Sequence, residues 1–306
     1  MRINIYKISM ILITVLSYNT LLAQQTPVFS EYNYNTILIN SAHAGFSPDP
    51  EITITNRGYL NSVEGSPRNL SAIFNTSFNS KKAGLGIGVI HDEIGVTTST
   101  TISASYAYKI FFDHHYNRGY WWEYNPNVIS FGVTGGVLVQ NENLVSLDIL
   151  NDPNFGDNIN STTPIIGAGF LYNRNQVYAG FSAPNLLGDA LSSEDNINLE
   201  FPLYAYAGYR FFTSKFQEIM IKPNFLLKYV SGAPAQIDLN TTINYKNIFE
   251  LGTGYRTNSS INFLAGIYAL KYYRILFNYT TNLKNTPINN SFGIILSYRF
   301  KNGFSK

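Results

Sequence analysis

The run from Ser291 to Phe300 constrains the fold more than any other segment. Phe292, Ile294, Leu296, Tyr298 and Phe300 fall on one face of an extended chain, while Ser291, Gly293, Ser297 and Arg299 fall on the other. Ile295 is the lone apolar exception on the polar face. Successive side chains of a strand point to opposite faces, so the run has one greasy and one polar side. Soluble half-buried strands alternate over about four to eight residues, whereas about ten are needed to cross a bilayer as a tilted strand. The same pattern recurs along the chain, which predicts an all-β fold: a transmembrane antiparallel β-barrel.

Composition supports that reading. The 306 residues are 45% hydrophobic and 15% aromatic but only 13% charged, about half the charge of an average soluble domain. Mean hydropathy is nevertheless −0.06, and beyond the N-terminus no apolar run reaches the roughly 18 residues of a membrane helix. The competing class is a large secreted β-sandwich. A net charge of +2 with no Lys/Arg block gives no reason to expect a nucleic-acid partner, and zero cysteines exclude disulfides and a lipid-anchored cysteine.

Residues 1–23 read as an export signal: Arg2 and Lys7 precede an apolar stretch from Ile8 to Leu22, and Ala23 offers a cleavage site before Gln24. Residues 24–50 form a pre-barrel segment and residues 51–306 the barrel. We count about fourteen candidate strands, near 51–60, 67–78, 82–91, 97–110, 127–140, 161–173, 176–182, 199–212, 217–229, 235–245, 248–256, 259–270, 272–281 and 289–300. With the N-terminus in the periplasm, long connections belong after odd strands, as at 141–160 and 183–198. Phe111–Pro126 breaks the rule, which we attribute to strands extending past the membrane. The tail after Phe300 is expected to matter less than Phe300 itself.

Alternation sorts Arg57, Lys109, Arg210, Lys222, Lys228, Arg256, Arg274 and Arg299 to the inner face, accompanied by Glu51, Asp238 and Glu250. Charge at mid-bilayer on the lipid side costs about 2–4 kcal/mol, so inward is expected whatever the function. The positive excess has two explanations: carboxylates from loops or the N-terminus fold in to pair with it, or the lumen admits anions or an acidic peptide. Gly84, Gly86 and Gly88 form one bare inner face, leaving room for something large inside.

No catalytic, metal or cofactor constellation emerges. His91, Asp92 and Glu93 sit in a predicted surface loop and, because adjacent residues on an extended chain point to opposite faces, cannot converge without a special turn; His114-His115 beside Asp113 has similar standing. The glycines at 84, 86 and 88 precede no helix, as a nucleotide loop would require. An enzyme is not expected.

Pro27-Val28-Phe29-Ser30-Glu31-Tyr32, followed by Ile39-Asn40-Ser41-Ala42-His43-Ala44-Gly45, resembles the opening of the PorP/SprF family of type IX secretion system membrane proteins. Arg57 with Gly65-Ser66-Pro67, Gly84 to Gly86 with Asp92 to Gly95, Gly180 to Leu187, Lys222-Pro223 with Lys228-Tyr229, and Gln236 to Leu239 continue the likeness over the mature chain. Ser41 and His43 depart from the usual Pro and Tyr, Tyr59 stands near the usual Trp, and Phe292-Gly293 replaces a His-Glu pair.

The resemblance implies a non-catalytic outer-membrane component of type IX secretion, tied to gliding motility, that binds or anchors a large secreted adhesin through its C-terminal domain. Its partners would be that cargo, the subunits of the secretion machinery and outer-membrane lipid. Phe29, Ser30, Tyr32, Asn40, Ala44 and Gly45 are then candidates to contact the machinery, from the periplasmic mouth or the barrel interior. Gly65, Pro67, Asp92, Pro184, Asn185 and Leu186 are candidates to contact cargo from surface loops. The alternative is an outer-membrane channel or a transporter of hydrophobic solutes.

Overall fold

A computed structural model describes residues 29–59, 65–78, 80–112, 124–148, 157–187, 201–213, 218–231, 233–257, 259–283 and 290–304. Its strands are β1 (Glu51–Tyr59), β2 (Arg68–Phe78), β3 (Ala83–Ile94), β4 (Thr97–Phe111), β5 (Val128–Glu142), β6 (Ile159–Arg174), β7 (Val177–Ala183) and β8 (Leu203–Tyr209). They continue with β9 (Phe211–Phe212), β10 (Ile219–Tyr229), β11 (Gln236–Tyr245), β12 (Phe249–Arg256), β13 (Ser260–Ala269), β14 (Tyr273–Asn282) and β15 (Asn290–Arg299).

Each strand pairs antiparallel with its neighbours, and β15 returns to β1, from Glu51 opposite Arg299 to Tyr59 opposite Ser291. The sheet therefore closes. β8 and β9 share one register against β10 and are separated only at Arg210, so they make a single interrupted stave and the barrel has fourteen. Closure removes every strand edge that lipid could not satisfy. The uneven connection after strand four is flanked by β4 and β5, each 15 residues long, so the strands there are indeed tall; its residues 113–123, including His114 and His115, lie outside the described residues.

The two faces separate as the alternation requires. On β11, Leu239 is 54% exposed while its neighbour Asn240 is 4% exposed. Aromatic rings gather at the short-turn end, where Tyr298 lies 5.0 Å from Tyr273 and 4.7 Å from Phe300. Rings with an apolar body and polar tip suit the headgroup zone. By its shorter turns we assign this end to the periplasm.

The lumen is occupied by the chain's own N-terminal segment. Helix α1 (Phe29–Tyr34) and the 3-10 turns η1 (Thr36–Leu38) and η2 (Ser41–His43) lie inside the wall. Tyr32 and Ile39 pack in a buried apolar cluster with Leu226, Leu264, Leu276 and Ile295. The exceptional Ile295 is thus explained: it faces inward into an apolar cluster that plug and wall build together.

The tail after β15 is also engaged. Phe304 is 5% exposed, its N–H donates to the Lys271 carbonyl at 2.7 Å, and its ring lies 4.1 Å from the Arg299 guanidinium and 4.9 Å from that of Arg274. The Phe304 carbonyl also accepts from Asn247 Nδ2 at 2.6 Å, so the tail is tied to the β11–β12 turn.

Candidate functional site

A segment without strand pairing must find partners for its backbone polar groups elsewhere. Here the wall supplies them at every third residue. The Ile39 carbonyl accepts from Ser182 Oγ at 2.7 Å, Ala42 from Ser130 Oγ at 2.8 Å, Gly45 from Lys109 Nζ, and Pro48 from Ser77 Oγ at 2.9 Å. The donors sit on β7, β5, β4 and β2 in that order, so the segment crosses the wall as it advances.

It can lie this close because the wall beneath it is bare. A Cβ added at Gly84 would land on the Ala44 carbonyl, one at Gly86 on the Ile37 side chain, one at Gly132 on the Ser41–Ala42 peptide, and one at Gly169 on the Asn40 amide. Those distances are shorter than any real Cβ contact. Gly45, at φ +58°, adds a left-handed turn that L side chains rarely adopt. The space left by the bare face of β3 is thus filled by backbone.

Asn40 fixes the register. It is fully buried; its Nδ2 donates to the Phe170 carbonyl and to Tyr206 Oη, both at 2.9 Å, and its Oδ1 accepts from the Ala42 N–H at 2.9 Å. Tyr206 Oη in turn lies 2.6 Å from His43 Nε2. Having accepted from Asn40, that hydroxyl has its proton to give, which assigns His43 as the acceptor and therefore neutral. Burial, with the cations of Arg210 and Lys109 nearby, pulls the imidazole down from 6.5 to about 3.

At the other end of the plug the grip is made by side-chain tips. Tyr32 Oη donates to Asp238 Oδ2 at 3.1 Å and accepts from Asn240 Nδ2 at 2.7 Å. Asp238 is also held by Arg256 in two bonds of 2.9 and 2.8 Å. Glu31 pairs with Arg57 at 2.9 Å. Glu51 takes both Arg274 and Arg299, at 2.9 and 2.7 Å.

The basic inner face therefore divides. Arg57 is answered by an N-terminal carboxylate, and Arg256, Arg274 and Arg299 by carboxylates of the wall. Lys109 spends its ammonium on a plug carbonyl, and Lys228 is buried on the inner face of β10. Arg210, which donates to Asn173 Oδ1 at 3.1 Å, and Lys222 line a cavity at the periplasmic end.

The candidate contact residues fall into three places. Tyr32, Asn40, Ala44 and Gly45 are buried inside the barrel against its wall; the backbone of Phe29 and Ser30 begins α1. Gly65 and Asp92 lie near the opposite end, where Gly95 N–H donates to the Gly65 carbonyl at 2.9 Å and Asn69 donates to Asp92 at 2.6 Å; Pro67 immediately precedes β2 there. Pro184 and Asn185 turn inward instead of outward. Gly167 has no side chain to keep them away, Leu186 N–H reaches the Ile166 carbonyl at 2.6 Å, and only Leu186, 43% exposed, faces out. The pair lines a second cavity of about 200 Å³ with Ile37 and Leu38.

Sequence reasoning missed Ser77, Ser130, Ser182 and Tyr206. Their signal was available but weak: each carries a hydroxyl on the inner register of its strand, where others such as Ser71, Thr134, Tyr178 and Tyr204 share the same face. Among the described residues, no group of three or more His, Asp or Glu side chains is placed to hold a metal.

The Ralstonia pickettii toluene transporter TbuX is similar at 11% identity with a TM-score of 0.50, covering 87% of this chain and 93% of that one. Acinetobacter baumannii Omp33 shares 9% identity at a TM-score of 0.43, over 84% and 100% of the two chains, and Haemophilus ducreyi BamA shares 9% at 0.44, over 83% and 70%. At 11% identity the likeness to TbuX speaks to the barrel fold alone. Among curated proteins, no sequence match was found. The family described as type IX secretion system membrane protein PorP/SprF matches residues 21–298. With the signature segment seated in an outer-membrane barrel and the match running from plug to last strand, the chain belongs to the PorP/SprF family and is an outer-membrane component of type IX secretion.

Proposed function

We propose that the protein is a non-catalytic adaptor. Its outer loops hold the C-terminal domain of a large secreted adhesin, and its periplasmic end meets the secretion machinery. The observation carrying this reading is the filled lumen: the N-terminal segment occupies the route that a solute would take, so the barrel works as an anchor. Residues 1–23 act as the export signal, so the mature N-terminus is Gln24. In this reading Tyr32, Asn40, Ala44 and Gly45 seat the plug, and the machinery docks on the periplasmic turns around it. Gly65, Pro67, Asp92 and Leu186 offer the cargo surface.

Deletion of the gene tests the proposal. Display of one or a few large adhesins should be lost while general secretion and small-solute uptake persist. A strain with normal display and impaired uptake of one solute would sink the adaptor.

The channel reading is favoured by one observation, the likeness to TbuX, a toluene transporter. Conductance in planar bilayers separates the two. The intact protein should be silent, and removal of residues 24–48 should open it.

A further inference from the structure

The bare inner strip of β3 runs on past the plug. An added Cβ would land on plug backbone at Gly84 and on the Ile37 side chain at Gly86, but at Gly88 the nearest atoms belong to the neighbouring strand β2, with Ile73 Cγ1 at 3.0 Å and the Ala72 carbonyl oxygen at 3.8 Å. A glycine strip with no plug backbone on it leaves room. That room lies toward the β3–β4 turn, on the outer side of the plug, and is the cavity of about 200 Å³ that Pro184 and Asn185 help to line.

Much of its lining is aliphatic. Ile37 and Leu38 come from η1 of the plug, and Ile73, Ile90 and Ile165 from β2, β3 and β6. Between β3 and β6 the wall carries small hydroxyl residues instead: Thr101, Ser103 and Ser105 on β4 and Thr134 on β5. Ser105 and Thr134 are bonded to each other at 2.7 Å. Among the described residues lining the chamber, none is charged.

A second feature belongs to the same space. Ser41 of η2 lines the chamber, is 5% exposed, and its Oγ meets no hydrogen-bond partner among the described residues. Buried hydroxyls are normally satisfied, so the lining offers one unmet polar group among apolar ones. Ligand sites commonly have this make-up, an apolar enclosure with a few polar atoms that fix orientation.

We infer that the chamber binds a small neutral molecule about the size of one six-membered ring, its apolar body against the isoleucines and one hydroxyl bonded to Ser41. An apolar protein cavity of about 150 Å³ holds benzene, so the size suits a ring with one substituent. An ionised ligand would lose its water with no counter-charge to meet it, which selects a neutral one. The inference concerns binding and not passage, because the plug forms the floor; it stands whether the barrel anchors or conducts.

The test is titration calorimetry on the purified barrel in detergent, with the heat of partition into protein-free micelles subtracted. The probes are phenol, benzene and benzoate: one ring bearing a hydroxyl, nothing, or a charge. Phenol should bind most tightly and benzene about fivefold more weakly, the scale of one neutral hydrogen bond, with benzoate weaker still. Ser41→Ala should bring phenol down to the benzene value and leave benzene unchanged, a selective loss that a loosened plug would not give. Ser103→Leu and Thr101→Leu each fill the chamber from β4 and should abolish binding of both rings. Leu239→Ile, on the lipid face, should leave every affinity unchanged, and heat-modifiable gel migration verifies folding of each variant. Phenol binding that beats benzene and disappears in a folded filled variant supports the proposal; where neither filled variant folds, the selective loss in Ser41→Ala decides. Absence of phenol binding, benzene or benzoate as tight as phenol, phenol affinity unchanged in Ser41→Ala, or phenol retained in a folded filled variant overturns it.

Discussion

The two ends of the plug are held by opposite strategies. Around η2 the wall recedes: Gly84, Gly132 and Gly169 let backbone lie on backbone, and short hydroxyls cap the carbonyls. Around α1 side-chain tips meet, with Tyr32 reaching Asp238 and Asn240 and Glu31 reaching Arg57. A bare wall specifies one path and tolerates no error, because nothing in it can move aside. A wall of side chains can adjust. The difference teaches that the signature motif Asn40 to Gly45 is a steric fit first and a polar one second.

Four experiments sharpen or break that contrast. Gly84→Val should have the largest effect: backbone on both sides cannot yield, so the cost should exceed the about 1–3 kcal/mol of ordinary overpacking. The plug should leave, seen as conductance in a barrel that still assembles; a silent Gly84→Val barrel would refute the steric account. Asn40→Ala comes next. It strands buried donors and acceptors at about 1–3 kcal/mol each and should expose the N-terminal segment to added protease. Acid should act more gently. His43 is neutral when seated, and its ring returns toward 6.5 when released, so the released state binds the extra proton between those values. Seating is complete above pH 6.5 and weakens as pH falls toward about 3; channel openings should rise over that window and flatten in His43→Gln. Tyr32→Phe should be mildest, about 0.5–1.5 kcal/mol, because Asn240 keeps its bond to Asn224 at 2.9 Å. If Tyr32→Phe opened the barrel as readily as Gly84→Val, the two ends would not differ.

The wall was legible in the sequence because lipid imposes a period of two on every stave, and even the count of strands followed. The plug was legible only as a void, in the glycines at 84, 86 and 88. Its path has no sustained period, being short helical turns broken by irregular chain, so the pairing of Ile39, Ala42, Gly45 and Pro48 with β7, β5, β4 and β2 depends on contacts between segments distant in the chain. The inward turn at Pro184 looked like surface turn chemistry because its cause, Gly167, belongs to another strand. Phe304 gave no signal either; one aromatic in a short polar tail is indistinguishable from chance until Arg274 and Arg299 stand beside it. Of the cations sorted inward by alternation, Arg57, Arg256, Arg274 and Arg299 stand against the carboxylates of Glu31, Asp238 and Glu51.

The ladder of carbonyls also bears on the order of assembly. Asn40 waits for Phe170, 130 residues later, and Tyr32 waits for Asp238, 206 residues later. Contacts this distant in sequence form late, because the intervening chain must be ordered before they are rewarded. The plug therefore seats only when the wall from β1 to β11 already exists, and Glu51 can gather Arg274 and Arg299 only when the final seam is in place. A protected N-terminal segment is thus a timestamp of completed closure: an incompletely assembled barrel would leave its leading residues outside, exposed to periplasmic proteases.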